Sequence, residues 1–317
     1  MIGASAGGVE ALKTVAARLP GDLPAAICVV LHIAPTSTSA LAGILGRAGD
    51  LPCRAAEDGE ELRPGNILVA SPDHHLVVED GHARVTVGPR ENNHRPSIDA
   101  LFRSAAHAHG AGVVGVVLSG TRDDGSAGLA IIKSRGGAAV VQDPEDALYP
   151  GMPTNAIAHV AVDAVAPAAL VADAITALVH GTPLPDDARA SDPTVGPPSE
   201  EQQLTLVCPE CGGVLTERGV AGVLQWHCHV GHLYSFDSLT EAQGGAVEAA
   251  LWTALRSLED RAALMRRLAD HSELHGPRRS SEMFGHQAEH AQRQADRVRT
   301  VVRDAAAAAQ RAVGDPA

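Results

Sequence analysis

The chain has 317 residues, enough for two domains, and 45% of them are hydrophobic but only 2% aromatic, so any core must be packed largely from Ala, Val, Leu and Ile. A formal charge of −13 opposes a polyanion such as nucleic acid as the main partner, and no apolar run approaches the roughly 20 residues that span a bilayer. No charged-then-apolar leader opens the chain, and five cysteines, two of them isolated, do not make a secreted disulfide framework, so a soluble, cytoplasmic, reduced protein without membrane insertion is expected.

Residues 1–180 alternate short β-rich runs with helix-like stretches, the pattern of a doubly wound, mainly parallel α/β sheet. A first strand ends at Ser5. Further strands are expected at Ala25–Leu31, Asn66–Ala70, Leu76–Val78, Ala83–Val87, Val113–Ser119 and Ala138–Gln142. Helices are expected to start near Gly8, Ser97, Ser126, Pro153 and Pro167. Asp80-Gly81, with no helix between the flanking runs, predicts an antiparallel hairpin. Residues 181–203 lack an apolar period and are rich in Pro, Asp and Ser, which reads as a flexible linker. Residues 204–240 form a Cys/His segment. From 241 to 310 a helical hairpin is expected, with Val247, Leu251, Leu255, Leu258, Ala262, Met265 and Leu268 on one buried face. His275-Gly276-Pro277 breaks it, and Phe284, Ala288, Ala291, Ala295, Val298 and Val302 line the second helix.

Ser5 sits in I-G-A-S-A-G-G, between Gly3, Gly7 and Gly8. A dinucleotide fingerprint would need glycine at position 5, where a Cβ crowds the pyrophosphate, and no G-K-[ST] makes a P-loop. The residue could simply cap the following helix. Read as a nucleophile, it needs a base and an acid. His32 follows the strand A-A-I-C-V-V-L, and Asp124 follows V-V-G-V-V-L-S in L-S-G-T-R-D-D-G-S-A-G. Three polar groups at the carboxyl ends of three parallel strands can converge at the edge where open α/β sheets build their sites. Each has a bland alternative: His32 is one of 16 histidines, and Asp124 or Asp123 could cap the helix at Ser126–Lys133. G-A-S-A-G also fits a G-x-S-x-G elbow, but α/β-hydrolases carry their histidine last, and His159, the late candidate, lacks a strand-end setting.

Taken together, I-G-A-S-A-G-G at 2–8, L-H-I-A-P at 31–35, E-D-G-E-E-L-R-P-G at 57–65, N-H-R-P-S-I-D-A-L-F at 93–102, L-S-G-T-R-D-D-G-S-A-G at 118–128 and P-G-M-P at 150–153 resemble the catalytic domain of the CheB-type chemotaxis methylesterases. The resemblance implies a hydrolase acting on glutamate methyl esters of chemoreceptors, with related deamidation of glutamine, and no catalytic cofactor. The family's nucleophile, base and acid fall on Ser5, His32 and Asp124. The backbone after Ser5 (Ala6, Gly7, Gly8), at a glycine-rich helix start, and Thr121 are the expected oxyanion and substrate-binding positions. His94 and Arg95 either line the cleft or hold the 93–102 loop. Members of the response-regulator type carry a receiver domain ahead of the catalytic one. None is expected here, so control by phosphorylation would come from elsewhere. The family's Gly-Met-Gly-x-Asp-Gly reads Gly-Thr-Arg-Asp-Asp-Gly in this chain.

Cys208, Cys211, Cys228 and His232 form C-x2-C-x16-C-x3-H, a set suited to a closed tetrahedral Zn²⁺ with a structural role. His227 or His229 could stand in for His232, although a ligand adjacent to Cys228 strains the chelate. A redox C-x-x-C is the competing reading. The sequence therefore predicts a 1–180 esterase domain, a 181–203 linker, a 204–240 zinc-ribbon-like module and a 241–310 helical hairpin. The last two would serve a signalling partner or the receptor, and the alternative is a non-catalytic scaffold on the same fold.

Overall fold

The structure, a computed structural model, describes residues 1–195, 206–275 and 277–314. It divides into two compact units, Met1–Thr240 and the residues from Glu241 onward. The first unit opens β1 (Ile2–Ala4), α1 (Gly8–Ala16), β2 (Ile27–Leu31), α2 (Leu41–Ala48), β3 (Cys53–Ala55), β4 (Glu60–Glu61), β5 (Ile67–Val69), β6 (His75–Glu79) and β7 (His82–Thr86). It continues with α3 (Ile98–His109), β8 (Val114–Val117), α4 (Ser126–Ser134), β9 (Ala138–Gln142), α5 (Gly151–His159), β10 (Val162–Ala166), α6 (Ala168–His180) and β11 (Arg189–Ser191). The Cys/His segment adds β12 (Leu206–Val207), β13 (Val214–Val220), β14 (Val223–Cys228) and β15 (Leu233–Tyr234), followed by the long helices α7 (Phe236–His275) and α8 (Arg278–Gly314).

The main sheet has the order β11-β10-β9-β8-β1-β2-β5-β3, and every pairing is parallel except β10 with β11. From β1 the chain first builds β2, β3 and β5 on one side and then returns to place β8, β9, β10 and β11 on the other, so the topology switches between β1 and its neighbour β8. Ligand sites of open α/β sheets form at such a switch, outside the carboxyl ends of the strands. Alternation along each strand feeds two aliphatic cores. Ile27, Val29 and Leu31 face Leu12, Val15, Leu45 and Ile175 from α1, α2 and α6, whereas Cys28 and Val30 belong to the core of α3, α4 and α5. Gly3 lets α3 approach β1 closely, because a Cβ there would lie 2.3 Å from the Ile98 side chain.

The hairpin forms as β6 and β7, with Asp80 at φ 49 and Gly81 at φ 76, the left-handed pair of a two-residue turn. It joins β4 in a small separate sheet, while β5 stays in the main one. The expected linker departs from the prediction at Arg189–Ser191, which pairs with β10 as an antiparallel edge strand and satisfies backbone groups that β10 would otherwise leave open. Residues 196–203 of that stretch lie outside the described residues. The Cys/His segment folds as an antiparallel sheet, β12-β13-β14-β15, and belongs to the same compact unit as the α/β sheet rather than to one of its own. In the second unit Leu255, Ala262, Ala288, Ala291, Ala295 and Val302 are buried, with Arg299 paired to Glu259 and Arg266 to Gln292 across the helices. Val247, expected in that seam, is exposed instead. Among the described residues no helix is long and apolar enough to cross a membrane.

Candidate active site

Ser5, His32 and Asp124 each follow one of three adjacent strands, β1, β2 and β8. The backbone fixes the first two side by side: the Ser5 N–H donates to the Ser119 carbonyl at 2.9 Å, and the His32 N–H to the Ala4 carbonyl at 3.1 Å. Ser119 is buried, and its hydroxyl donates to the Ala6 carbonyl at 2.8 Å while accepting the Tyr149 N–H at 3.0 Å, which ties the Ser5–Gly7 turn to the loop before α5. Gly120 and Gly7 permit these approaches. A Cβ on Gly120 would lie 2.1 Å from the Met152 sulfur and 2.9 Å from the Ser5 Cβ, and Gly7, at φ 71, faces the Ser119 hydroxyl and the exposed Leu148 and Tyr149.

The side chains then form one hydrogen-bonded line. Ser5 Oγ and His32 Nδ1 are 3.2 Å apart, and His32 Nε2 and Asp124 Oδ2 are 2.7 Å apart. The carboxylate can only accept, so it selects the tautomer with hydrogen on Nε2 and leaves the Nδ1 lone pair for the serine hydroxyl. The imidazole and the carboxylate are buried, at 5% and 3% exposure, which keeps water from competing for this bond. Ser5 does not cap α1 with its side chain. Gly7 is the N-cap, and no side-chain bond closes that end.

Asp124 caps no part of α4 either. Its carboxylate sits at the start of α3, accepting the Ile98 N–H at 2.8 Å, the Asp99 N–H at 3.2 Å, the Ser97 hydroxyl at 3.0 Å and the Asn92 amide at 2.7 Å. Asp99, from the first turn of α3, returns the arrangement by accepting the Gly125 and Gly128 N–H groups at 3.1 and 2.6 Å at the start of α4. Each helix start thus receives a carboxyl oxygen as acceptor for its open N–H groups, Asp124 at α3 and Asp99 at α4. Burial alone would raise the Asp124 carboxyl, but the His32 bond, the neighbouring imidazoles and the Ile98 N–H hold it below the usual carboxylate range. Burial and the nearby Asp124 push the Asp99 carboxyl well up. The Asn92 amide bridges the two, donating its second hydrogen to Asp99 Oδ2 at 2.8 Å.

His94 stacks on His32, with ring centroids 3.6 Å apart and planes 11° from parallel. Burial, then the adjacent His32, lowers its pKa to about 3, so the ring behind the His32 imidazole stays neutral. Arg95 turns instead to Asp73, at 2.7 Å, and to the Gly88 carbonyl, also at 2.7 Å, and so holds the loop. Among the expected oxyanion positions Gly8 is excluded, because its N–H already donates to the Ser5 carbonyl at 2.9 Å. Thr121 is exposed on the rim beyond Gly120. Asn92, Ser97 and Asp99 were not singled out by the sequence, although the last two lie within the N-H-R-P-S-I-D run.

The Cys/His set also assembles. One donor atom from each of Cys208, Cys211, Cys228 and His232 lies within 4.8 Å of all the others. Cys211 and Cys228 sulfurs are 3.5 Å apart, and His232 Nδ1 lies 3.7 Å from Cys208 and 3.4 Å from Cys228. A tetrahedral Zn²⁺ with its usual bond lengths separates such ligands by about 3.5–3.8 Å, so the donor set fits the ion. A disulfide at ~2.05 Å does not describe this spacing. His232 Nε2 faces Glu210 at 3.5 Å, the kind of carboxylate that orients a ligating imidazole. His229 is exposed and His227 lies outside the set.

The sequence model of the CheB methylesterase family matches residues 1–175. A protein-glutamate methylesterase/protein-glutamine glutaminase of Anaeromyxobacter dehalogenans is 43% identical over 167 residues, 53% of this chain and 49% of that protein. A protein of Leptospira interrogans described as a protein-glutamate methylesterase/protein-glutamine glutaminase is 40% identical over 164 residues, 51% of this chain and 85% of its own length. The chain therefore spans about half the length of the first of these relatives. The crystal structure of the Thermotoga maritima CheB methylesterase catalytic domain superposes with a TM-score of 0.54 at 33% identity, covering 56% of this chain and 96% of that one.

Proposed function

The chain belongs to the CheB methylesterase family, and on that premise we propose that it is a cytoplasmic serine hydrolase for methyl esters of glutamate side chains on chemoreceptor-type proteins, with deamidation of glutamine at equivalent positions. The hydrogen-bonded line Ser5–His32–Asp124 carries the reading. Ser5 Oγ attacks the ester carbonyl as its proton passes to His32 Nδ1, and Asp124 stabilises the imidazolium that results. The proton then goes to the departing methoxide, releasing methanol, or to the departing amide nitrogen, releasing ammonia. Water, deprotonated by the same imidazole, hydrolyses the acyl-serine. The N–H groups of Ala6 and Gly7, at the positive end of α1, are the donors placed for the developing oxyanion, with Thr121 on the facing rim. Exposed Leu148 and Tyr149 beside Gly7 offer an apolar shoulder to a receptor helix.

Methanol release from a methylated receptor, followed with the full chain and with His32→Ala, tests the reading: the wild type turns over and the variant falls by several orders of magnitude. A folded wild type that binds the receptor yet releases neither methanol nor ammonia would establish the non-catalytic scaffold instead.

The Cys208, Cys211, Cys228 and His232 set reads as a structural Zn²⁺ site that closes the small sheet, since all four positions are taken by protein and none is left for water. Metal analysis is expected to find about one zinc ion per chain, with loss in Cys211→Ser; a metal-free, fully folded wild type contradicts the assignment. The hairpin α7–α8 is the part we assign to a signalling partner.

A further inference from the structure

Asn92 is placed by the Cys/His sheet. β15 begins immediately after His232, and the Asn92 N–H donates to the Leu233 carbonyl at 2.7 Å, while Leu233 returns its own N–H to the Arg90 carbonyl at 3.4 Å. The next residue, Tyr234, is buried with its hydroxyl 3.4 Å from the Cys208 sulfur. Ser235 then donates its N–H to the Asn92 side-chain oxygen at 2.8 Å, and the Ser238 hydroxyl reaches the same oxygen at 3.3 Å. With its oxygen held, the Asn92 amide must aim its two hydrogens the other way, at Asp124 and Asp99. Asn92 is 1% exposed and sits at φ 52, followed by Asn93 at φ 66, a left-handed pair that persists only where surrounding contacts impose it. Ser235 also donates its hydroxyl to Asp123, next to the triad acid, at 2.6 Å. Three residues thus separate a metal ligand from the group that orients Asp124.

We propose that Asn92 is a positioning residue of the triad acid beside the Ser97 hydroxyl and the α3 N–H groups, and that the Cys/His centre locks it through β15 and Ser235, so that turnover at Ser5 depends on a metal that never meets the substrate. This rests on the esterase reading of Ser5 and on zinc at the four ligands. Without the amide, Asp124 loses one of its fixed donors and faces Asp99 with nothing between them. The carboxylate can then rotate away from His32 Nε2 and release the imidazole. Without the metal, β15 loses its anchor, and the Asn92 oxygen loses its partner by the same route.

The test uses the full zinc-loaded chain. Asn92→Ala should lower kcat at least tenfold with KM within twofold, and weaken the far-downfield proton resonance of the His32–Asp124 hydrogen bond, while circular dichroism stays native. Zinc removal from the wild type should produce the same two changes, reversed by zinc. In Asn92→Ala, zinc removal should lower kcat no further, because both act through one contact. Wild-type kcat and an unchanged resonance in Asn92→Ala overturn the proposal. So do equal, multiplicative losses from zinc removal in both proteins. Should the metal-free chain unfold, the zinc-loaded Asn92→Ala measurement still decides. Failure of the esterase reading shows separately, as a Ser5→Ala protein no slower than wild type.

Discussion

Ser5→Ala is expected to reduce kcat on methylated receptor by on the order of 10⁴–10⁶, leaving binding and fold intact. The side chain contributes a hydroxyl to His32 and no capping bond to α1, so its removal costs the helix nothing that Gly7 does not already supply. Ala6 and Gly7 would still face the ester, and the residual rate would be what positioning and oxyanion stabilisation give without a nucleophile. Intact mass, circular dichroism and receptor affinity equal to wild type, beside the lost methanol release, would separate chemistry from folding.

The second large effect is Asp124→Asn. An amide cannot accept at both ends, yet both ends of Asp124 face donors: Asn92, Ser97 and Asp99 at Oδ1, His32 and Ile98 at Oδ2. If the new NH₂ turns to His32, the imidazole must put its hydrogen on Nδ1, facing Ser5, and no base remains. That tautomer error is expected to cost on the order of 10⁴ in kcat. The mismatch with the remaining donors should cost about 1–3 kcal/mol in stability as well. Asp124 titrates below the ordinary carboxylate range in the folded chain, so its stabilisation is present above that range and is lost as pH falls through it. Wild type should therefore lose stability more steeply than Asp124→Asn below about pH 5 in urea titrations. Parallel curves would show that this carboxylate is not held by its partners in solution.

The convergence of Ser5, His32 and Asp124 was legible because each follows a short apolar strand, and β1, β2 and β8 lie side by side at the switch of the sheet. The hairpin was legible from Asp80-Gly81 for the same local reason. β10 escaped because Val162–Ala166 has two alanines and an aspartate among its five residues and reads equally as helix. α2 escaped because only Leu41 and Leu45 of its short run are buried. β11 could not be seen at all: Arg189–Ser191 has no apolar period, and its strand is made by backbone bonds to β10. Asn92 has the same character. Nothing in its neighbours marks it, since what gives it a task is contact with Ser235 and Ser238, more than 140 positions later in the chain. The Cys/His spacing showed a centre but not that its last strand lies against the loop behind the triad.

The proposed esterase activity turns on covalent chemistry at one hydroxyl. Incubating the full chain with a fluorophosphonate and mapping the adduct by mass spectrometry should place a single label on Ser5, abolished in His32→Ala and blocked by methylated receptor. An unlabelled Ser5, or a label on some other residue, in a protein that nevertheless releases methanol from receptor would contradict it.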